Sequence, residues 1–126
     1  MSRRRIVWIS RHAPTKSQLA ELGRLFPAYD LHFDPAPFSG AADIVARFHA
    51  QGGDEMVVVA PWGVMRAIIR HGIRPIWAEM EEVDCKKPHE VVMGGAKKRC
   101  YRFAKFHRCK GVKLELEEIT PQGESK

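Results

Sequence analysis

A small α/β domain on a parallel sheet, with a basic antiparallel hairpin at its C-terminal end, is the fold class this sequence predicts. Three observations predict it. The apolar runs Ile6–Ile9 and Met56–Ala60 are consecutive rather than alternating, the pattern of strands buried on both faces. Between the strand-like runs lie stretches whose apolar residues recur at helical spacing, such as Leu19, Leu22, Leu25 and Phe26. Late in the chain the pattern changes to strict alternation, Val112, Leu114 and Leu116 against Lys113, Glu115 and Glu117, which reads as a half-buried strand.

In order, Arg5–Ser10 is a strand, followed by a helix capped by Thr15 or Ser17 and ended by Pro27. Tyr29–Phe33 is a second strand, closed by Asp34-Pro35-Ala36-Pro37. A helix over 41–51 buries Ile44, Val45 and Phe48 and stops at Gly52-Gly53. Met56–Ala60, the most apolar strand, belongs at the centre. Pro61 opens a third helix that runs to about His71, and Ile73–Ala78 is a fourth strand. Strands alternating with single helices argue for right-handed crossovers in a parallel sheet. Residues 1–82 are thus expected to form a Rossmann-like core, 83–98 a loop, 99–119 a hairpin turning at Lys110-Gly111, and 120–126 a frayed tail, all one domain.

Composition narrows the classes. The 126 residues are 44% hydrophobic with a net charge of +6, and no apolar run approaches the ~18 residues of a membrane span. The apolar segment after Arg3–Arg5 is too short for a signal peptide. Three cysteines, Cys85, Cys100 and Cys109, show no CxxC spacing and read as reduced thiols of a cytoplasmic protein. They match no zinc signature, and no Walker loop, GxGxxG or HExxH is present, so neither metal nor cofactor is expected. The charge is uneven: residues 86–113 hold ten Lys/Arg and one acid, Glu90, leaving a net −3 elsewhere. Such a patch is either a solvated face or a surface for RNA or DNA carried by Arg99, Arg102, Lys105 and Arg108. Some of these cations are expected to face Glu115 and Glu117 across the hairpin.

The candidate site follows from topology. In open α/β sheets, ligands bind outside the carboxyl ends of the strands where strand order reverses. For a 2-1-3-4 order that point lies between the first and third strands. The first delivers Ser10, Arg11, His12, Thr15 and Lys16, and the third Pro61, Trp62 and Gly63 at a helix N-terminus with free N–H groups. Arginine, histidine, hydroxyls and a helix end make a phosphate site. Trp62 would stack a base, and Asp34 and Glu79, ending other strands, would meet ribose hydroxyls. The plainer alternatives are a polar turn at Ser10-Arg11-His12 and a core role for Trp62.

The segment Ile9-Ser10-Arg11-His12-Ala13-Pro14-Thr15-Lys16-Ser17-Gln18 resembles the opening of small stand-alone CRISPR-associated proteins with a CARF-like Rossmann fold, some of them ring nucleases. His32-Phe33-Asp34-Pro35, Gly53-Asp54 before a strand and the helix opening at Pro61 add to the resemblance, which covers about residues 5–80. It implies a homodimer that binds a cyclic oligoadenylate and cleaves it without metal, with His12, Arg11 and Ser10 at the reacting phosphate. Arg11-His12-Ala13-Pro14-Thr15 also resembles the nucleophile motif of the histidine phosphatases, and Ala60-Pro61-Trp62-Gly63-Val64-Met65-Arg66 resembles their later segment. There Pro61 stands where that family has its second histidine. That likeness implies phosphoryl transfer through His12.

Overall fold

The computed structural model describes residues 3–113 and 115–121. Six strands and three helices follow one another as β1 (Arg4–Ile9), α1 (Lys16–Leu25), β2 (Tyr29–Asp34), α2 (Ala41–Ala50), β3 (Glu55–Val58), α3 (Trp62–Arg70), β4 (Ile76–Val83), β5 (Val91–Met93) and β6 (Arg99–Arg108). They form one sheet in the order β2-β1-β3-β4-β6-β5. The first four strands are parallel, and β6 pairs antiparallel with both β4 and β5. The expected 2-1-3-4 order is therefore present, with the Met56 strand in the interior of the sheet.

The two faces of the sheet carry separate cores. Ile6, Trp8, Val57 and Ile76 pack with Leu22 of α1 on one side. On the other, Val7, Ile9, Met56 and Val58 pack with Ile44, Val45 and Phe48 of α2 and with Met65 and Ile68 of α3. Successive strand residues point to opposite faces, so an unbroken apolar run fills both cores. Ile6, Val7 and Ile9 are wholly buried and Trp8 nearly so. Thr15 caps α1 by accepting the Gln18 N–H, while the Gln18 side chain accepts the Thr15 N–H at 2.8 Å, a reciprocal box.

The C-terminal third departs from expectation. Glu79–Glu82, expected just after the fourth strand, continue β4 to Val83. Residues 83–98 are not one loop, since they contain β5. The aromatic, basic strand is present as β6, but its partners are β4 and β5 rather than 112–116. No described residue after Arg108 is in a strand, and Leu114 and residues 122–126 of the expected hairpin and tail lie outside the described residues. The reason is charge and apolar matching. Across the β4–β6 pair Glu79 faces Lys105 and Glu81 faces Arg102, with a bulge after Glu79, while Phe106 reaches Trp8 and Phe103 on the α1 face. Acids opposite cations on paired strands are favourable, and β4 offers them along its length. The hairpin turn lies instead between β5 and β6, where Gly94 takes φ 89°, a conformation open to glycine. Cys85 and Cys100 form a disulfide, against the expectation of reduced thiols; it ties the start of the β4–β5 connection to β6.

Gly53 lies where the α2–β3 turn presses on the core. A Cβ there would overlap the Phe48 ring and a Val7 methyl. Gly53→Ala is expected to lose about 1–3 kcal/mol by overpacking, read as a lower urea midpoint with unchanged slope.

Candidate functional site

A cavity of about 870 Å³ opens at the carboxyl ends of β1 and β3, on the α1 side of the sheet. Its floor is Trp8 of β1 with Ala78 and Met80 of β4, and its rim carries Ser10, Arg11, His12 and Thr15. The 35–38 segment forms one wall and Val91 and Met93 of β5 another. The position is the one expected for a doubly wound sheet: α1 leaves β1 to one face, α2 and α3 lie on the other, and the connections part to leave a crevice.

The loop after β1 is held by its backbone. The Trp8 indole N–H donates to the His12 carbonyl at 2.9 Å, and the His12 N–H donates to Ser10 Oγ at 3.2 Å. Arg11 and His12 are exposed. Neither side chain makes an ion pair or hydrogen bond among the described residues. The result is a fixed backbone presenting a guanidinium and an imidazole over an apolar floor.

The opposite wall is held by Arg47 of α2. Its Nε and Nη2 bind the two Asp34 carboxylate oxygens at 3.0 and 2.8 Å. Its remaining donors reach the Pro37 and Ala36 carbonyls at 3.0 Å each and Asp43 at 3.2 Å. Asp34 also accepts from Gln51 at 2.8 Å and from the Ala36 N–H. The Arg47 guanidinium beside Asp34 holds its carboxyl below the usual range, despite the opposing effect of burial.

Glu90 completes the mouth. Its carboxylate accepts the Ser17 hydroxyl and, at 3.2 Å, the Ser17 N–H in the first turn of α1. The hydrogen bond from Ser17 lowers its pKa. A carboxylate is well placed there, since the helix N-terminus carries partial positive charge and unpaired N–H groups. The anion position at α1 is thus taken by the chain's own side chain.

The structure brings together Ser10, Arg11, His12 and Thr15 and leaves out most of the other expected residues. Lys16 is exposed on the first turn of α1 and outside the cavity lining. Asp34 is committed to Arg47 and Gln51, so it shapes the wall instead of meeting a ribose. Trp62 and Gly63 begin α3 on the other face of the sheet, where Trp62 contacts Trp77. Glu79 alternates with the floor residues Ala78 and Met80, so it too points to the far face, where it pairs with His107 at 2.8 Å. Arg102 pairs with Glu81, Arg99 lies 3.9 Å from Glu82, and Arg108 binds Glu55 at 2.6 Å. These acids belong to β4 and β3 rather than being Glu115 and Glu117, and Lys105 alone of the four has no ion pair among the described residues. A smaller cavity of about 350 Å³ at the opposite ends of the strands is lined in part by that Arg108–Glu55 pair.

Trp8, Gln18, Arg47, Met80 and Glu90 shape the site without having been singled out from the sequence. Glu90 left a trace there, as the lone acid in a basic stretch. Arg47 left none, because its five contacts come from segments that only the fold brings together.

Arg47→Gln is expected to destabilise the protein at pH 7 by about 1.5–3 kcal/mol, the worth of hydrogen bonds to a charged group. Asp34 is depressed in the folded state, so its contribution is complete above the unfolded value of about 3.9 and is lost as pH falls through the folded value. The gap between parent and variant, measured by urea denaturation at pH 7 and pH 3, should therefore narrow in acid. A gap independent of pH would remove the pair as its source.

No protein-family model matches the chain, and neither a curated protein nor a solved structure matches it.

Proposed function

We propose that the protein binds a small phosphate-bearing nucleotide, of the cyclic oligoadenylate or short-RNA class, in the cavity at the end of β1, and cleaves it without a metal. The observation that carries this reading is the pairing of an apolar, tryptophan-floored cavity of nucleotide size with unpaired Arg11 and His12 side chains at its rim. A base lies over Trp8 and Met80, excluded from water. Arg11 binds the phosphate, and Ser10 and Thr15 supply hydroxyls at the rim. The Glu90 carboxylate accepts from ribose or exocyclic donors.

In this scheme the ribose 2′-hydroxyl attacks the adjacent phosphorus and the bond to the 5′ oxygen breaks, leaving a 2′,3′-cyclic phosphate and a free 5′-hydroxyl. The site needs to hold the attacking oxygen in line and to neutralise charge, which Arg11 does. His12 moves the proton, as base to the 2′-hydroxyl or acid to the departing oxygen. A two-fold symmetric ring suits an isologous dimer whose two cavities share one ligand. Such a ligand belongs to the cytoplasm, and we place the protein there. The cysteine pair Cys85–Cys100 then meets the cellular thiol pool.

Two other readings have less support. Phosphatase-like transfer through His12 asks the 60–66 segment to face the same phosphate, and Trp62 and Gly63 lie on the other side of the sheet. Nucleic-acid binding through β6 asks for free cations, and Arg99, Arg102 and Arg108 are matched to acids.

Incubation with cyclic tetra-adenylate and hexa-adenylate in EDTA tests the proposal. Cleavage is expected to persist in the chelator and to fall about 10²–10⁴-fold in His12→Ala, the usual weight of general acid–base catalysis. Neither binding nor cleavage of either ring by the parent protein would end this reading.

A further inference from the structure

A second surface lies on the other face of the sheet. Trp62, in the first turn of α3, is 53% exposed. Its ring meets that of Trp77 edge-on, with centroids 5.5 Å apart. Trp77 stacks in turn on His107 at 5.4 Å, their planes 28° apart. His107 is held from its far side by Glu79 at 2.8 Å. Three rings from α3, β4 and β6 thus form a continuous row whose Trp62 end is open. The space beside it is clear as well, since a Cβ built on Gly63 would meet nothing within 4 Å.

Charge accompanies the row. Helical spacing puts Arg66 and Arg70 on the same stripe of α3 as Trp62, about 6 and 12 Å along the axis. Both are exposed, and neither makes an ion pair among the described residues. This contrasts with β6, where arginine after arginine is matched to an acid. Of the acids near the row, Glu79 is already turned to His107.

We propose that this surface is a stacking platform for single-stranded nucleic acid, with a base on the open face of Trp62 and the phosphates on Arg66 and Arg70. A stripe of one exposed indole and two unpaired guanidiniums suits a ligand that alternates flat bases with negative charge. The strand beside Trp62, β4, is paired on both sides, so it offers no free edge for a peptide to extend. It lies across the sheet from the first cavity and does not depend on what that cavity binds.

Titration with a ten-nucleotide oligothymidylate, followed by tryptophan fluorescence, tests it. The parent should show quenching at 50 mM salt, with binding that weakens as salt rises. Trp62→Ala should weaken binding about five- to 150-fold, the effect of losing one base–aromatic stack, and Trp62→Phe should retain most of it. Both changes are at an exposed ring, and far-UV circular dichroism checks that the variants fold. The double variant Arg66→Gln, Arg70→Gln should lower the log–log salt slope by about 1.4, two phosphate contacts on a single strand. Three results would overturn the proposal: no binding at 50 mM salt, unchanged affinity in Trp62→Ala, or equal affinity for a polyphosphate of the same charge that has no bases.

Discussion

The placement of β1 between β2 and β3 is the constraint on which the rest depends. Its register is parallel to both neighbours, Ile9 opposite Asp34 on one side and Val58 on the other. Because both faces of β1 are covered, Ile6 to Ile9 can all be apolar and the strand cannot slip without exposing one core. The chain must therefore turn outward at Ser10. The helices on either side are committed to opposite faces of the sheet, and the gap between them becomes the cavity. Tight packing of four residues thus delivers Arg11 and His12 to an open rim.

Electrostatics is distributed differently from what net charge suggests. The basic C-terminal region looks like a binding patch when its charges are counted, yet its arginines, Arg99, Arg102 and Arg108, serve sheet assembly. On β4, Glu81 meets Arg102, Glu82 lies 3.9 Å from Arg99 and Glu79 meets His107, and Arg108 reaches across to Glu55 on β3. The exposed pairs on β4 add little stability each, whereas Glu55 is buried where it meets Arg108; together they favour one register over others. Outside the basic stretch, Arg11 at the cavity and Arg66 and Arg70 on α3 make no ion pair among the described residues.

The same economy appears at the walls of the cavity. Asp34 and Glu90 are acids beside the cavity, and each is held by specific partners. Asp34 is clasped by Arg47 and Gln51, and Glu90 sits at the N-terminus of α1. Glu90 also links the β4–β5 connection to α1, so the late-arriving antiparallel strands become part of a site that begins at the first strand.

The sequence by itself determined the parallel core and the end of β1 where polar residues emerge. Those features follow from local patterning: consecutive apolar residues mark a strand buried on both faces, and a Thr15 or Ser17 cap marks a helix start. It did not determine the partner of β6, because the pairing with β4 joins residues far apart in the chain, Ile76 with Arg108 at one end, and two acidic segments, Glu79–Glu82 and Glu115–Glu117, both offer matches to its cations. Nor did it decide which side of the sheet Trp62 would occupy, since the face is set by the crossover of α3 rather than by its own residues. Tertiary structure decided these points. It separated Trp62 and Glu79 from His12, committed Asp34 to Arg47, and brought Trp8, Met80 and Glu90 to the cavity.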